Sequence, residues 1–368
     1  MSVKVGIVGD LAFFPAGINR HLTQFNPANY SELARADILV GNLEFPFSLE
    51  QIPYAPSSHR EYLAPAKAVD VLKRFRFDAL TLANNHIADW GAEGISHTKR
   101  MLTEIGVQSC GAGVNEKESR RPLILAKNGI VLGILAYCKN GFFTANARRM
   151  GAAPIKVRTI VEDIRELRPK VDHVIVILHW GVEFSSYPSP EDVGVAHALI
   201  ESGADCIIGH HPHVVQGMEI YSGKPIFYSL GSFVYNPRLE RVFVDKKIKE
   251  RLTSIAVEIE FSKEAVISWK VLPFINTGVS IFPVMMSPAE RSEFEKHFRE
   301  ISARINDSRW FYNEAASNLV HRELRTIGSL LISSRGLYVF TLIRMVRLRH
   351  LKMIFGKYLF RKARVNGS

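Results

Sequence analysis

The chain has 368 residues, 47% of them hydrophobic and 23% charged, a composition that excludes a disordered chain and predicts one large domain or two modest ones. Its formal net charge is +11, and this charge is unevenly distributed. Ten of the 47 Lys and Arg residues, and no acidic residue, follow Glu323. Residues 1–323 therefore contain 37 basic and 36 acidic residues. This near-neutral body argues against nucleic-acid binding. The three cysteines, Cys110, Cys138 and Cys206, exclude a disulfide framework and are typical of buried thiols in a reducing compartment.

Residues 1–240 alternate between strand-like and helix-like segments, which predicts an α/β fold. Apolar runs predict buried strands at Val3–Gly9, Asp37–Leu43, Ala79–Ala83, Val174–Leu178 and Cys206–Ile208. Helices are predicted at Ala66–Phe75, Glu93–Ile105 and Pro190–Ser202, and a hairpin at Pro122–Cys138 around Asn128-Gly129. Because the first strand begins at Val3, we expect no signal peptide and a cytoplasmic location.

The C-terminal third changes character. Residues 252–284 alternate as antiparallel strands do, residues 288–330 are helical in pattern, and residues 236–252 are the best candidate for a flexible loop. We therefore expect a main domain at residues 1–284, C-terminal helices at 285–323 and a basic, apolar tail at 324–368. The tail has no uninterrupted apolar run of the ~18 residues that a membrane span needs. Two interpretations stay open: a helix lying on the anionic inner face of the membrane, or a helix packed on the body or on a partner.

Polar residues that bind metals recur where apolar strands end, which is where open α/β sheets place their sites. The five strand ends carry Asp10, then Asn42 and Glu44, then Asn84, Asn85, His86 and Asp89, then His179, Trp180 and Glu183, then His210, His211 and His213. Each alone has an ordinary explanation, such as a helix cap for an Asp. Three imidazoles in four residues are hard to explain by packing, and the five ends together predict a metal site. Mixed oxygen and nitrogen ligands suit Mn, Fe or Zn better than Ca or Mg.

Six motifs follow one another between about residues 3 and 235: Gly-Asp, Asn-Leu-Glu, Asn-Asn-His-x-x-Asp-x-Gly, His-Trp-Gly-x-Glu, Gly-His-His-Pro-His-Val and Tyr-Ser-Leu-Gly-x-Phe. In this order they resemble the bacterial capsule-synthesis CapA family, which is associated with poly-γ-glutamate capsules and related to the calcineurin-like metallophosphoesterases. The resemblance implies two mixed β-sheets packed face to face and flanked by helices, a four-layer α/β/β/α arrangement. It says nothing about residues 285–368.

The resemblance also implies roles for individual residues. Six side chains would surround two metals: Asp10, Glu44, Asn85, His179, His211 and His213. His86 would be the general acid or a transition-state donor, oriented by Asp89. Five others would lie behind the ligands or face the substrate: Asn42, Asn84, Trp180, Glu183 and His210. Ser232 stands where the family usually has Asn, and we assign it no ligand role.

The two metals are not expected to be equivalent. In the related phosphoesterases the first motif is Asp-x-His and both residues bind one metal, whereas the residue two positions after Asp10 is Ala12. One metal would have four ligands, Glu44, Asn85, His179 and His211. The other would share Glu44 and otherwise have only Asp10 and His213. We therefore expect one tight and one weak site.

The predicted function is that of a dinuclear-metal hydrolase in the biosynthesis of a capsule or another surface polymer. Its substrate would be a phosphoester or an anionic, amide-linked polymer. The alternative is a non-catalytic, metal-stabilised assembly factor of a capsule or polysaccharide machinery, held at the membrane or to a partner by the tail. His86 separates the two, because a scaffold does not need a proton donor.

Overall fold

The computed structural model describes residues 1–14, 23–48, 63–139, 143–235, 250, 252–277 and 280–314. The chain divides into two units, Met1–Phe311 and Tyr312–Ser368, and the second is described only over residues 312–314. The predicted tail at 324–368 and most of the predicted loop at 236–252 therefore lie outside the described residues, and the predicted domain limits stay predictions. Within the described residues, no helix is long and apolar enough to cross a membrane.

Strands and helices alternate through most of the first unit. The strands of the described residues are β1 Val3–Leu11, β2 Ile38–Leu43, β3 Ala79–Thr81, β4 Gln108–Cys110, β5 Ala112–Gly113, β6 Leu123–Lys127, β7 Ile130–Cys138, β8 Gly151–Ala152, β9 His173–His179, β10 Cys206–His210, β11 Met218–Tyr221, β12 Lys224–Phe227, β13 Ser232–Val234, β14 Thr253–Phe261, β15 Val266–Ile275 and β16 Val284–Met285. The helices are α1 Ala68–Phe75, α2 Gly91–Glu104, α3 Glu116–Ser119, α4 Val157–Leu167, α5 Pro190–Glu201 and α6 Pro288–Ala303, with 3-10 turns at Pro27–Tyr30, Leu33–Arg35 and Arg168–Lys170.

The larger sheet of the described residues has the order β16-β15-β14-β1-β2-β3-β4. Strands β1 to β4 run parallel, whereas β14, β15 and β16 are antiparallel neighbours. Strand β14 pairs with Val3–Val8 of β1, and β13 pairs in parallel with the last residues of β1, Asp10 and Leu11. The sheet is therefore mixed, with the end of β1 held between β2 and β13.

The smaller sheet of the described residues has the order β11-β12-β10-β9-β7-β6. Its four central strands are parallel, and β6 and β11 close the edges as antiparallel strands. The β6–β7 hairpin turns at Asn128 and Gly129, both with positive φ (54° and 75°), as the Asn-Gly signal predicted. A separate pair joins β5 and β8.

Strand β9 shows why these apolar runs become buried strands. Successive side chains of a strand point to opposite faces, and both faces of β9 are covered. Ile175 and Ile177 belong to the core that includes Ile7 of the larger sheet. Val174, Val176 and Leu178 pack in a second core with Ile160 and Ile164 of α4 and Leu199 of α5. The predicted architecture of two mixed sheets packed together and flanked by helices is confirmed.

The predicted elements of residues 1–235 are all observed, with ends that shift by a few residues. Strands β9 and β10 extend to His179 and His210, so these two imidazoles belong to the last residues of strands rather than to loops. The sequence patterns missed helix α4 and several short strands, among them β4 and β13. Helix α6 packs into the core of the larger sheet through Phe294, Phe298 and Ile301.

Candidate metal centre

The strand-end residues meet where the carboxyl ends of the two sheets come together. Strand β1 brings Asp10, and the end of β2 brings Asn42 and Glu44. Strand β9 brings His179, and β10 ends at His210. The loops that follow β3 and β10 add Asn84, Asn85, His86, His211 and His213. Residues far apart in the sequence thus form one cluster, as the strand-end pattern predicts.

Two glycines allow the strands to approach closely at this end. A Cβ atom on Gly9 would lie 2.0 Å from the backbone oxygen of Gly231, and one on Gly209 would lie 1.8 Å from that of Tyr228. Both distances are far inside van der Waals contact, so no other residue fits without displacing a strand. The glycines of the Gly-Asp and Gly-His motifs are therefore required by the close packing of the strands, whether or not the site binds a metal.

Asp10 is fully buried, and β1 is irregular at this residue against both β2 and β13. Its carboxylate accepts hydrogen bonds from Asn42 Nδ2 at 2.8 Å and from the backbone N–H of His211 at 3.1 Å. His210 Nδ1 lies 3.0 Å away but outside hydrogen-bonding geometry. Burial would raise the pKa of Asp10, but the surrounding imidazoles, His210 first among them, outweigh burial and lower it. The carboxylate is therefore ionised.

Glu44 is just as buried but has fewer partners. His213 Nε2 lies 3.3 Å from Glu44 Oε1, and Oε2 has no hydrogen-bond partner. Burial, followed by the nearby charge of Asp10, raises the pKa of Glu44 well above its usual value. An enclosed carboxylate oxygen without a donor is costly in a protein interior, and a bound cation would offset that cost.

Asn42 and Asn84 hold the ligand-bearing segments in place. Asn42 Oδ1 accepts from Asn84 Nδ2 at 3.3 Å and from Thr81 Oγ1 at 3.1 Å. These two hydrogen bonds orient the Asn42 amide so that its Nδ2 donates to Asp10. Asn84 Oδ1 in turn accepts from the backbone N–H groups of His86 and Ile87. Thr81 was not predicted as part of the site. The only sequence signal for it is a polar residue inside the apolar run Ala79–Ala83.

Asn85 and His179 are neighbours in the cluster. Asn85 Oδ1 lies 2.7 Å from His179 Nε2, and the His179 ring centroid is 4.8 Å from that of His211. Burial lowers the pKa of His179 well below its usual value, and burial lowers the pKa of His211 to about 4. Both imidazoles are therefore neutral near pH 7, which is the form that binds metals.

The loop after β10 has a strained backbone at two of its histidines. His211 and His213 have positive φ values of 96° and 58°, a conformation uncommon outside glycine. His213 Nδ1 lies 3.0 Å from Ser232 Oγ and 3.5 Å from Asp10 Oδ2. Ser232, to which we assigned no ligand role, therefore contacts a predicted ligand and fixes its ring. Its place in the Tyr-Ser-Leu-Gly-x-Phe motif was the available signal.

His86 and Asp89 form a pair beside these ligands. His86 Nδ1 lies 2.8 Å from Asp89 Oδ2, and the Asp89 side chain is fully buried whereas that of His86 is 17% exposed. Because a carboxylate only accepts, the contact favours a proton on Nδ1. Nε2 lies 3.1 Å from Asn85 Nδ2, and the edge of Phe45 packs on the ring at 5.3 Å. The pair has the geometry of an oriented acid–base residue.

Trp180 and Glu183 occupy different surroundings although they are three residues apart. Trp180 is buried, and its indole N–H donates to the backbone oxygen of Tyr228 at 3.0 Å, a contact that ties β9 to the segment after β12. Glu183 is exposed and lies beside His211 and His213. The structure thus brings Glu183 to the ligands and places Trp180 in the packing behind them.

The donor atoms present fit divalent metal ions. In the described part of the chain, two groups of three residues have ligand atoms within 4.8 Å of one another: Asp10, Glu44 and His213, and Glu183, His211 and His213. Enclosed atoms without a hydrogen-bond partner include Glu44 Oε2, His210 Nε2 and His211 Nδ1. Nitrogen and carboxylate donors in this mixture suit transition metals.

Comparison with known proteins gives a consistent family match. The model of a family described as bacterial capsule synthesis protein PGA_cap matches residues 7–237. The chain is 33% identical over 230 residues to a capsule biosynthesis protein CapA of Bacillus anthracis, covering 60% of this chain and 56% of that protein. It is 34% identical over 180 residues to a probable polyglutamine synthesis accessory protein of Mycobacterium tuberculosis (strain CDC 1551 / Oshkosh), covering 45% and 47%. The chain thus spans about half the length of these curated relatives.

Among solved structures, the chain is similar to a novel phosphatase from Mycoplasma pneumoniae. The TM-score is 0.48 at 16% sequence identity, and the match covers 79% of this chain and 97% of that one.

Proposed function

The chain belongs to the bacterial capsule synthesis family PGA_cap, as its motifs predicted, and from this premise we propose that it is a metal-dependent hydrolase of surface-polymer biosynthesis. Its substrate would be a phosphoester or an anionic, amide-linked polymer. The predicted ligands would hold two divalent transition metals (Mn, Fe or Zn): Asp10, Glu44, Asn85, His179, His211 and His213. The roles of these residues are part of the proposal.

The observation that best supports the proposal is that Asn85 contacts both a predicted metal ligand and the predicted proton donor. Its Oδ1 lies 2.7 Å from the predicted ligand His179, while its Nδ2 lies 3.1 Å from Nε2 of His86. The predicted proton donor thus lies beside one predicted ligand, Asn85, and one side chain away from another, His179. Metal-stabilised folding alone does not require a partly exposed His86 oriented by a buried Asp89 at this place.

When bound, divalent metals would polarise a substrate oxygen and lower the pKa of a bound water. The protein's own part is to supply and hold a proton. Asp89 accepts from Nδ1 of His86 and so keeps Nε2 facing Asn85 and the cluster. In the neutral ring Nε2 accepts from Asn85 Nδ2, and once protonated His86 would release that contact and donate from Nε2 to the leaving group. Asp89 would stabilise the imidazolium that precedes the transfer.

His86→Ala tests this proposal against the alternative of a non-catalytic assembly factor. We expect a loss of turnover of roughly 10²-fold or more with bound manganese and thermal stability unchanged. Substrates would be a chromogenic phosphodiester and a γ-glutamyl polymer, each with added Mn²⁺. His297→Ala, an exposed histidine of α6, is the matched control. Equal turnover of the His86 and His297 variants would contradict the proton-donor role.

The alternative function has one observation in its favour. The mycobacterial relative is named a probable accessory protein of polyglutamine synthesis, and an accessory role needs no turnover. Under this alternative, the cluster would be a structural metal site of an assembly factor. Metal removal would then weaken binding to a partner without any hydrolysis being detected in the metal-loaded protein.

We also propose that the basic tail, residues 324–368, holds the protein at an anionic membrane surface or at a partner of the biosynthetic complex. Its ten basic residues would each contribute up to ~1 kcal/mol near such a surface, less at physiological salt. Co-sedimentation of the full chain with liposomes is expected to require anionic lipid and to weaken at high salt. Equal binding to neutral and anionic liposomes would contradict this role.

A further inference from the structure

The turn after β9 is built so that it carries Glu183 to the histidine loop. Gly181 and Phe184 have positive φ values of 84° and 61° on either side of Glu183, and Ser185 N–H donates to Val182 O at 3.1 Å. Phe184 N–H donates to the backbone oxygen of Pro212 at 2.8 Å. A non-glycine residue in the left-handed region costs about 1 kcal/mol. The backbone conformation of Phe184 is therefore stabilised by these hydrogen bonds and not by the intrinsic preference of the residue.

Glu183 and the histidines it faces have the geometry of a ligand set. The ligand atoms of Glu183, His211 and His213 lie within 4.8 Å of one another. Ligands about 2.1 Å from a shared metal lie roughly 3 to 4 Å apart, so a small closure brings Glu183 and His213 onto one ion beside His211, a predicted ligand of the tight site. His211 Nδ1 is enclosed without a hydrogen-bond partner, and Glu183 is exposed. Two partly buried imidazoles thus lie next to one exposed carboxylate.

The charge balance of the candidate metal centre also favours Glu183 as a ligand. Two divalent ions would bring four positive charges to a site whose buried carboxylates are Asp10 and Glu44. Glu183 is the next carboxylate whose oxygen reaches the ligand atoms of the described residues. Asp89, also buried, is already engaged with His86 at 2.8 Å. A third carboxylate at the solvent side would reduce the net charge to be buried.

We propose that Glu183 is a metal ligand that binds, together with His213, the divalent ion of the weaker site on the solvent side of the cluster. This inference rests on the proposed function, because it assumes that the cluster holds metal. Glu183 would complete the weaker site, which otherwise has Asp10, Glu44 and His213.

The test is Mn²⁺ binding by the full-length protein after chelation, followed by calorimetry and by the Mn²⁺ electron paramagnetic resonance signal. Glu183→Gln keeps the shape of the side chain and removes the charge. We expect its weaker Mn²⁺ dissociation constant to rise roughly tenfold or more, the tighter one to stay unchanged, and Glu183→Asp to restore part of the loss. Glu264→Gln is the matched control, because the β14–β15 turn lies at the Val3 end of β1, opposite Asp10.

The outcomes separate the two proposals. If the wild type binds two Mn²⁺ and Glu183→Gln binds both with unchanged constants, the inference on Glu183 is wrong and the hydrolase proposal stands. If the wild type binds no Mn²⁺, the metal-dependent function itself is wrong and the inference falls with it. A loss of the weaker ion in Glu183→Gln, with thermal unfolding of the metal-free protein unchanged, supports the ligand role.

Discussion

The strands of the smaller sheet carry charged groups at both ends, and the two ends differ in how those charges are partnered. At the start of the strands, Asp205 lies 2.5 Å from Lys224 Nζ and 2.5 Å from an Arg168 nitrogen, and it accepts from the backbone N–H of Val174 at 2.9 Å. At their carboxyl ends these strands meet the larger sheet in the candidate metal centre, where Glu44, which follows β2, has one imidazole at 3.3 Å and an oxygen with no hydrogen bond. We refer to Arg168, His173, Asp205 and Lys224 as the strand-start cluster.

The pKa shifts of the two carboxyl groups have opposite signs. Burial would raise the pKa of Asp205, but the His173 imidazole 3.5 Å away and the hydrogen bonds from Lys224 and the Val174 N–H outweigh burial, and the pKa is lowered. The pKa of Glu44 is raised by burial and by Asp10. Partners supplied by the chain itself therefore satisfy the charge of the strand-start cluster, while the candidate metal centre keeps ligand atoms that the chain does not pair. We infer that the first cluster serves stability and the second serves function.

Removing the charge of the strand-start cluster is expected to have the largest effect on stability. Asp205→Asn should lower the free energy of unfolding by about 3 kcal/mol, because it leaves two cations without their carboxylate. The loss is smaller than for a fully buried ion pair, because the side chains of Arg168 and Lys224 are 36% and 32% exposed and water partly screens their charges. Urea denaturation measures the change. Glu166→Gln, which breaks an exposed pair with Lys170, is the control and should change little.

The contribution of Asp205 to the free energy of unfolding should decrease as the pH falls. A carboxyl group whose pKa is lower in the folded state stabilises the fold above its unfolded pKa, and that stabilisation is lost as the pH falls toward the folded pKa. The difference in unfolding free energy between the wild type and Asp205→Asn should therefore be complete at pH 7 and shrink below about pH 4. A difference that grows on acidification would contradict the pairing seen for Asp205.

Substitutions at the candidate metal centre should change metal content and leave the fold intact. We expect the protein to purify with about one metal per chain and to bind a second, weaker one on addition of Mn²⁺. His179→Ala should empty the tight site, whereas Asp10→Ala should remove only the weaker ion. Elemental analysis and calorimetry measure both. Two equally tight ions in the wild type would contradict the predicted asymmetry.

A smaller effect, opposite in sign to that of Asp205→Asn, is expected for Glu44→Gln in the metal-free protein. Burial and Asp10 oppose ionisation of Glu44 in the folded protein, as its raised pKa shows, and the neutral amide removes that penalty. The free energy of unfolding after chelation should therefore rise by about 1 kcal/mol. The same variant should bind Mn²⁺ poorly. Destabilisation of the metal-free variant would instead show that Glu44 is a structural residue like Asp205.

The positions of the candidate ligands could be predicted because apolar runs mark buried strands and polar residues mark where they end. Asp10, His179 and His210 were predicted at strand ends on this basis. The contacts of Thr81 and Ser232 could not, because they depend on which strands are neighbours and on the irregular pairing at Asp10. The position of Glu183 depends on a left-handed Phe184, for which the residue type carries no signal. Local patterns predict elements, whereas register and strained turns depend on tertiary contacts.

The central claim is that the candidate metal centre performs hydrolysis, and the dependence of turnover on manganese occupancy tests it most directly. The full-length protein would be chelated, titrated with Mn²⁺, and assayed at each occupancy with a chromogenic phosphodiester and a γ-glutamyl polymer. We predict no turnover after chelation, little with one ion per chain and a steep rise as the second ion binds. A protein that binds both ions and hydrolyses neither substrate at any occupancy would contradict the claim and favour the assembly factor.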